Sequence, residues 1–405
     1  MGTGNLIQGR KRHPVNAGSP IVERKSGRAI RHGGLPILSQ RARSWLGRSL
    51  SLPSTSFAAA SLSAILIVIA ASSPASALEE FRLTDTKTFE VGSAPDINLE
   101  TVNGDVSYTA TAGTKATVDI IVLVRARDEA EAKEIRDQIG IRVEGSDGLL
   151  EAVVKHRRDF NHWLQDLFGR SRSISVSFHV HGPSGATGEM SSVSGEARIT
   201  GTSGPIQINS VSGDVTAERV SSRVRATAVS GGVHVSDCRG PVHAETVSGD
   251  VDVDICGSTL KAETVSGSLT AAGVAGDVDA STTSGDILVK QVKGTVAGNT
   301  TSGQITVENE GGSFDLHSVS GDLTVRSAKS TGRLACETVS GSVKVYVNAK
   351  EVSDVRLSSN SGDIQVDAGL RVRKHSRHEL SGRLGDGPSE LEISTSSGDI
   401  LLGEL

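Results

Sequence analysis

Three cysteines, eleven histidines and a recurring Ser-Gly-Asp are the residues of this 405-residue chain whose types could do chemistry. Cys238 and Cys256 stand 18 residues apart, and Cys336 stands alone. Two thiols one structural repeat apart would sit side by side, within reach of a disulfide or packed as small hydrophobes. Both readings stay open for Cys238 and Cys256, while Cys336 reads as a buried free thiol. The histidines are scattered, and His234 and His243 lack the spacing of a metal-ligand set. A Ser that recurs in every repeat is a turn element, since a nucleophile elbow occurs once on a strained strand-to-helix turn. The Asp is present at most once per repeat. Calcium rolls use two nine-residue Gly-Gly-x-Gly-x-Asp units per turn, and a hard cation wants six or more oxygens. No catalytic, cofactor-binding or metal-binding residue is therefore expected.

What must position these residues is a repeat. Ser-Gly recurs every 18 residues at Gly195, Gly213, Gly231, Gly249, Gly267, Gly285, Gly303 and Gly321. Longer steps lead to Gly341, Gly362, Gly382 and Gly398. Two residues after the Gly stands an aliphatic (Val215, Val233, Val251, Leu269, Ile287) and four after it another (Val235, Val253, Val289, Val307). Alternation with period two marks one face of a short strand. A second Gly or Ser follows nine residues after the first, at Gly204, Ser222, Gly240, Ser258 and Gly276. A second strand comes next, with Val224, Val242, Leu260 and Val278 inward, then Ala226, Ala244, Ala262 and Ala280. One such rung cannot bury its apolar face alone, whereas stacked rungs bury a continuous narrow core. The expected fold is all-β, a parallel β-solenoid or β-helix with about 18-residue rungs. The Gly column is read as a turn needing positive φ. The residue after it alternates acid and non-acid (Asp214, Gly232, Asp250, Ser268, Asp286, Gln304, Asp322, Ser342, Asp363, Arg383, Asp399), which keeps carboxylates of adjacent rungs apart, with Glu196 beside Asp214 as the exception.

Three regions follow: 1–77, 78–190 and 191–405, the last being the solenoid. Residues 78–190 read as a β-rich cap with one helix, Asp128–Ile139, whose Ala132, Ile135 and Ile139 share a face. Thr117–Val124 reads as a strand, and Thr101–Val106 resembles a rung. Phe160, Trp163, Leu164, Leu167 and Phe168, flanked by Arg157, Arg158, Arg170 and Arg172, read as an apolar flap on the solenoid. Arg371, Arg373, Lys374, His375, Arg377 and His378 form a basic loop, expected either to cover the last rung or to leave it for self-association.

The first 50 residues hold ten Lys or Arg and one acid, Glu23. An apolar run, Phe57–Ala71, and Ala75-Ser76-Ala77 complete a signal-peptide pattern with cleavage after Ala77. The run is short of a bilayer span, so contact with a membrane is expected only through this segment, cleaved or kept as an anchor. Removing residues 1–77 moves the net charge from -5 to -14. That balance excludes a nucleic-acid partner, which needs a basic footprint. Aromatics at 3% with 46 Gly fit thin β layers of small residues better than a mixed core.

Thr246-Val-Ser-Gly-Asp-Val251, with close variants at Thr264–Leu269 and Thr338–Val343, resembles a bacterial family of candidate adhesins with β-helix repeats, the domain of unknown function 4097. The resemblance covers about Leu78–Leu405 and implies a β-helix with no established catalytic residues. The expected function is an exported, non-catalytic cell-envelope adhesin or scaffold, periplasmic or at the cell surface. It would present Ser, Thr and Asp ladders to an envelope glycan or protein. The alternative is a polysaccharide-acting β-helix enzyme or a calcium-binding β-roll.

Overall fold

A computed structural model describes residues 78–155 and 173–405, all within one compact unit. The signal-peptide pattern with Ala77 and the aromatic and basic stretch around Phe160–Phe168 lie outside the described residues.

Each rung gives one strand to each of two long sheets. Strands such as Val215–Glu218, Val233–Cys238, Val251–Cys256 and Leu269–Val274 stack in parallel in the first sheet. Val224–Ala228, Val242–Ser248, Leu260–Ser266 and Val278–Ser284 stack in the second. The fold is thus a parallel β-solenoid. Register follows the 18-residue period: Val251 faces Leu269, and Leu260 faces Val278. The inward columns are buried, with Val251 and Val253 from one sheet meeting Leu260 and Ala262 from the other.

The N-terminal segment prolongs both sheets. β1 (Glu79–Glu90), β2 (Asp96–Asn103), β3 (Val106–Thr111) and β4 (Lys115–Ala126) precede α1 (Glu129–Gln138). β5 (Gly140–Ser146), β6 (Leu149–Lys155), β7 (Ile174–Pro183), β8 (Thr187–Ser194) and β9 (Ala197–Thr200) follow. β2 and β3 already form a rung: they pair in parallel with β8 and β9, although 75 residues separate the two rungs in sequence. The intervening chain supplies the end caps. β7, β4 and β1 continue the first sheet, and β6 and β5 the second, with antiparallel pairs at both edges. The edge strand β1 carries Glu79, Glu80, Arg82, Asp85, Lys87 and Glu90, charges that oppose pairing with another chain. In α1, Asp128 caps the N-terminus by accepting from the Glu131 amide at 2.8 Å, and Ala132 and Ile135 are buried.

At the other end chain order and spatial order part. Ser389–Ser397 and Ile400–Glu404 insert between the rung of Arg333–Ser340 and Val343–Val347 and the rung of Val352–Ser359 and Ile364–Asp367. The last rung in sequence is therefore interior, not terminal. The expected basic loop is a hairpin, Arg371–His375 with Glu379–Arg383, that caps the second sheet. Arg373 pairs with Asp354 and Lys374 with Glu379.

Two expectations about the Gly column are corrected. Gly382 lies in the capping hairpin, and Gly104 opens the column instead; Gly398 stands between Gly341 and Gly362. The reason for glycine also differs. Within the column from Gly195 on, the expected positive φ is found only at Gly285 and Gly303, at 159° and 152°. What requires glycine is close stacking. A Cβ on Gly249 would overlap the carbonyl oxygen of Gly231, and a Cβ on Gly267 that of Gly249. Positive φ falls six residues later, at Gly201, Arg219, Asp237, Ile255, Gly273 and Gln291.

Candidate functional site

The polar ladders expected to face a ligand divide into structural and exposed ones. The Thr of Thr-Val-Ser-Gly turns inward: Thr246, Thr264 and Thr282 are buried, and each hydroxyl donates to a Gly carbonyl, at 2.9 Å to Gly231, 3.1 Å to Gly249 and 3.4 Å to Gly267. This satisfies acceptors that a buried turn would leave bare. The Ser and the following Asp are exposed. One oxygen of each Asp is nonetheless engaged. Asp214, Asp250, Asp286 and Asp322 accept at 2.8 Å from the amides of Gly232, Ser268, Gln304 and Ser342, the same position in the next rung. The acid alternation is thus a stitch between paired rungs as well as charge spacing. In space the stitch continues through Asp399, which accepts from the Asp363 amide at 2.9 Å, but the alternation does not: Asp399 and Asp363 are neighbours, as are Asp105, Glu196 and Asp214 at the other end, and Arg383 is outside this column.

The valine before the Ser of the Ser-Gly pair is exposed. Val193, Val211, Val229, Val247 and Val265 are each 42–47% accessible and stand in consecutive rungs along one edge. Sequence reading had not separated this edge from the inward aliphatic columns, because period two was read only after the Gly.

The cysteines are buried free thiols. Cys238 and Cys256 are register partners. Burial pushes Cys238 up to about 11 and raises Cys256 and Cys336 as well. Cys336 lies between Leu316 and Ile393 in the inward column of the second sheet. None has the lowered thiol pKa of a reactive cysteine.

The main concavity lies on the outer face of the second sheet, a groove of about 1380 Å³. It crosses β2, β8 and six following strands as far as Val296–Ser302. At about 4.8 Å per strand it is roughly 34 Å long. Its floor is one outward column, Asn98, Glu189, Gln207, Arg225, His243, Lys261, Asp279 and Ala297, with Pro205, Arg223, Pro241 and Thr259 on the adjoining turn. The in-register stack places three basic-type side chains, Arg225, His243 and Lys261, in adjacent rungs. Acids flank them: Glu189 accepts from Gln207 and Asn209 at 3.3 and 2.6 Å, and Asp277 accepts from the Thr295 amide at 2.8 Å. Next to this column Glu245 and Glu263 face each other, Arg225 lying 3.6 Å from Glu245 and Lys261 3.1 Å from Glu263. The period could have revealed this cluster, since residues 18 apart are neighbours and residues two apart share a face. His243 had been weighed only against His234.

No helix of the described residues is long and apolar enough to cross a membrane.

A family model described as Toastrack DUF4097 matches residues 90–272 and 241–402. Among solved structures, a candidate cell adhesion protein from Clostridium sporogenes is 11% identical over 80% of this chain and 100% of its own, with a TM-score of 0.18. A candidate adhesin from Bacteroides fragilis is 13% identical over 79% and 97%, with a TM-score of 0.24. A candidate lipid-binding protein from Parabacteroides distasonis is 13% identical over 78% and 96%, with a TM-score of 0.29. No curated protein matches the chain.

Proposed function

Because the chain belongs to the Toastrack DUF4097 family, we propose that it is an exported, adhesin-like scaffold of the cell envelope that holds an extended polar polymer, a glycan, along the groove of its second sheet. The observation that carries this reading is the groove itself: one face of eight stacked strands, open along its length and floored by side-chain amides, cations and acids. Such a surface offers hydrogen-bonding groups of varied kind at a constant strand spacing, which suits an extended polar ligand. The leader pattern of residues 1–77 supports export.

Binding without turnover fits the same surface. Glycoside hydrolysis needs two carboxylates placed on either side of the bond to be cleaved. Of the groove's four acids, Glu189 and Asp277 are already held by neighbouring amides, Asp96 and Asp279 stand six strand steps or about 29 Å apart, and the rungs from Gly195 to Gly321 carry no inserted loop to enclose a substrate. A calcium roll is disfavoured because from Asp214 to Asp322 the Asp column repeats only at every second rung, about 10 Å apart, and each of these carboxylates already accepts from a backbone amide, which leaves too few oxygens to converge on one ion.

The test is a set of thermal melts against envelope polysaccharides, with calcium and with chelator. A polysaccharide at 100 times its Kd stabilises by about 2.7 kcal/mol, and the shift is expected to shrink in Gln207→Ala and Asn98→Ala. A polysaccharide shift untouched by both variants, or no shift with any glycan, would sink the groove reading. A shift with calcium alone would restore the roll.

A further inference from the structure

One cluster in the second sheet turns a single histidine nitrogen toward two glutamates of adjacent rungs, whereas His317 on the same face meets Asp315 and Glu337 through different nitrogens. The register of Val242–Ser248 with Leu260–Ser266 sets Glu245 beside Glu263, with His243 two residues before Glu245 on the same outward face. His243 Nε2 is 3.6 Å from Glu263 Oε2 and 3.8 Å from Glu245 Oε2, and the three ligand atoms lie within 4.8 Å of one another. That nitrogen is also shielded from solvent and has no hydrogen-bond partner. A buried polar atom without a partner is uncommon enough to call for an explanation. The two carboxylates face each other in adjacent rungs, and their repulsion is offset only from the sides, by Arg225 and Lys261.

We propose that His243, Glu245 and Glu263 form a binding site for a divalent first-row transition metal of the zinc type, through Nε2 and one oxygen of each carboxylate. Zinc ligand bonds of about 2.0–2.2 Å in a tetrahedron put ligand atoms about 3.3 Å apart. The two nitrogen–oxygen separations therefore need to close by a few tenths of an ångström, and the two carboxylate oxygens, which lie within 4.8 Å of each other, by up to about 1.5 Å. An imidazole with two carboxylates suits zinc, whereas calcium takes six to eight oxygens. Three protein ligands leave a fourth position open to water or to a ligand in the groove.

The surrounding charges define the competition. Lys261 takes the other oxygen of Glu263, at 3.1 Å, and leaves Oε2 toward His243. Arg225 lies 3.6 Å from Glu245 Oε2 and 3.5 Å from His243 Nδ1. As a donor at Nδ1, Arg225 favours the proton on Nε2, the tautomer that cannot ligate there. Metal capture must displace Arg225 and move that proton to Nδ1. The remaining register neighbours are Thr227 and Ser281 beside the two glutamates and Asp279 beside Lys261.

The site does not depend on what occupies the groove, so it is tested with zinc alone. Calorimetric titration of the chelator-treated full chain is expected to show one zinc ion per chain. His243→Asn and Glu263→Gln should each weaken binding by more than about 10-fold, the least that loss of even an outer partner causes. Arg225→Gln should tighten it. All three side chains point outward, so melting temperatures should match the parent and separate lost ligation from lost fold. No zinc binding by the parent, or equal affinity in His243→Asn, Glu263→Gln and the parent, would overturn the assignment.

Discussion

The two kinds of turn in each rung use glycine for different reasons. At the Ser-Gly turn a Cβ would collide with the carbonyl of the rung beside it, so Gly213, Gly231, Gly249 and Gly267 have no substitute. Six residues later the backbone turns left-handed, a conformation that favours glycine, but Arg219, Asp237, Ile255 and Gln291 occupy it. There the side chain has room, as the 55% exposure of Ile255 shows, and the cost is local torsional strain alone. Crowding imposed by a neighbour is repeated in every rung and tolerates no exception. Strain within one residue is tolerated one rung at a time.

Substitutions can break or sharpen that contrast. Gly249→Val is expected to have the largest effect, about 3 kcal/mol or more, read as a loss of melting temperature. A melt that overlays the parent would remove the crowding argument. Gly273→Val, at φ 67°, should cost about 1–2 kcal/mol, clearly less than Gly249→Val; equal losses would erase the distinction between the turns. Thr264→Val keeps the shape but deletes the 3.1 Å bond to the Gly249 carbonyl, for a loss of about 1 kcal/mol. Ile255→Gly runs the other way. Relief of left-handed strain outweighs the added chain entropy, and a gain of about 0.5 kcal/mol is expected. A melting temperature below the parent would show that Ile255 does more than occupy the turn.

The smallest effect concerns the thiols beside the second turn. With Cys238 raised from 9.0 to about 11 by burial, the folded state favours the protonated thiol. The stability this gives is intact below pH 9 and declines as the pH rises from 9 toward 11, while the unfolded thiol ionises first. A thiol reagent should count three cysteines on denaturation and react slowly with the folded chain at neutral pH. One thiol on denaturation would mean that Cys238 and Cys256 are joined.

Most of the architecture was legible because an 18-residue period states register directly. Val251, Val253, Leu260 and Ala262 could be assigned inward from spacing alone, as could the helix around Ala132 and Ile135. The period does not say which rung is whose neighbour once the steps become irregular. Gly362 and Gly398 carry the same motif, and either could follow Gly341. The acid alternation was read in chain order through Arg383, whereas in space Ser342 is followed by Asp399. The reason for glycine at Gly249 was not legible either, since close approach between rungs is a tertiary fact that leaves the same residue as a left-handed turn would. The groove was hidden for a related reason. Outward columns have no compositional rule, and Arg225, His243 and Lys261 become a row only when the stack is built.

The displaced rung at the far end sets an order of assembly. A solenoid whose rungs follow one another can grow from its N-terminal end as more of the chain emerges, each new turn docking on the one before. Here residues 352–367 have no completed surface to dock on until residues 389–404 arrive, because those later strands lie between them and the rung ending at Val347. Up to that moment the nascent stack ends in unpaired backbone at Arg333–Ser340 and Val343–Val347. The growing tip is then open to a chaperone, or to a neighbouring chain, for as long as synthesis of the final stretch takes.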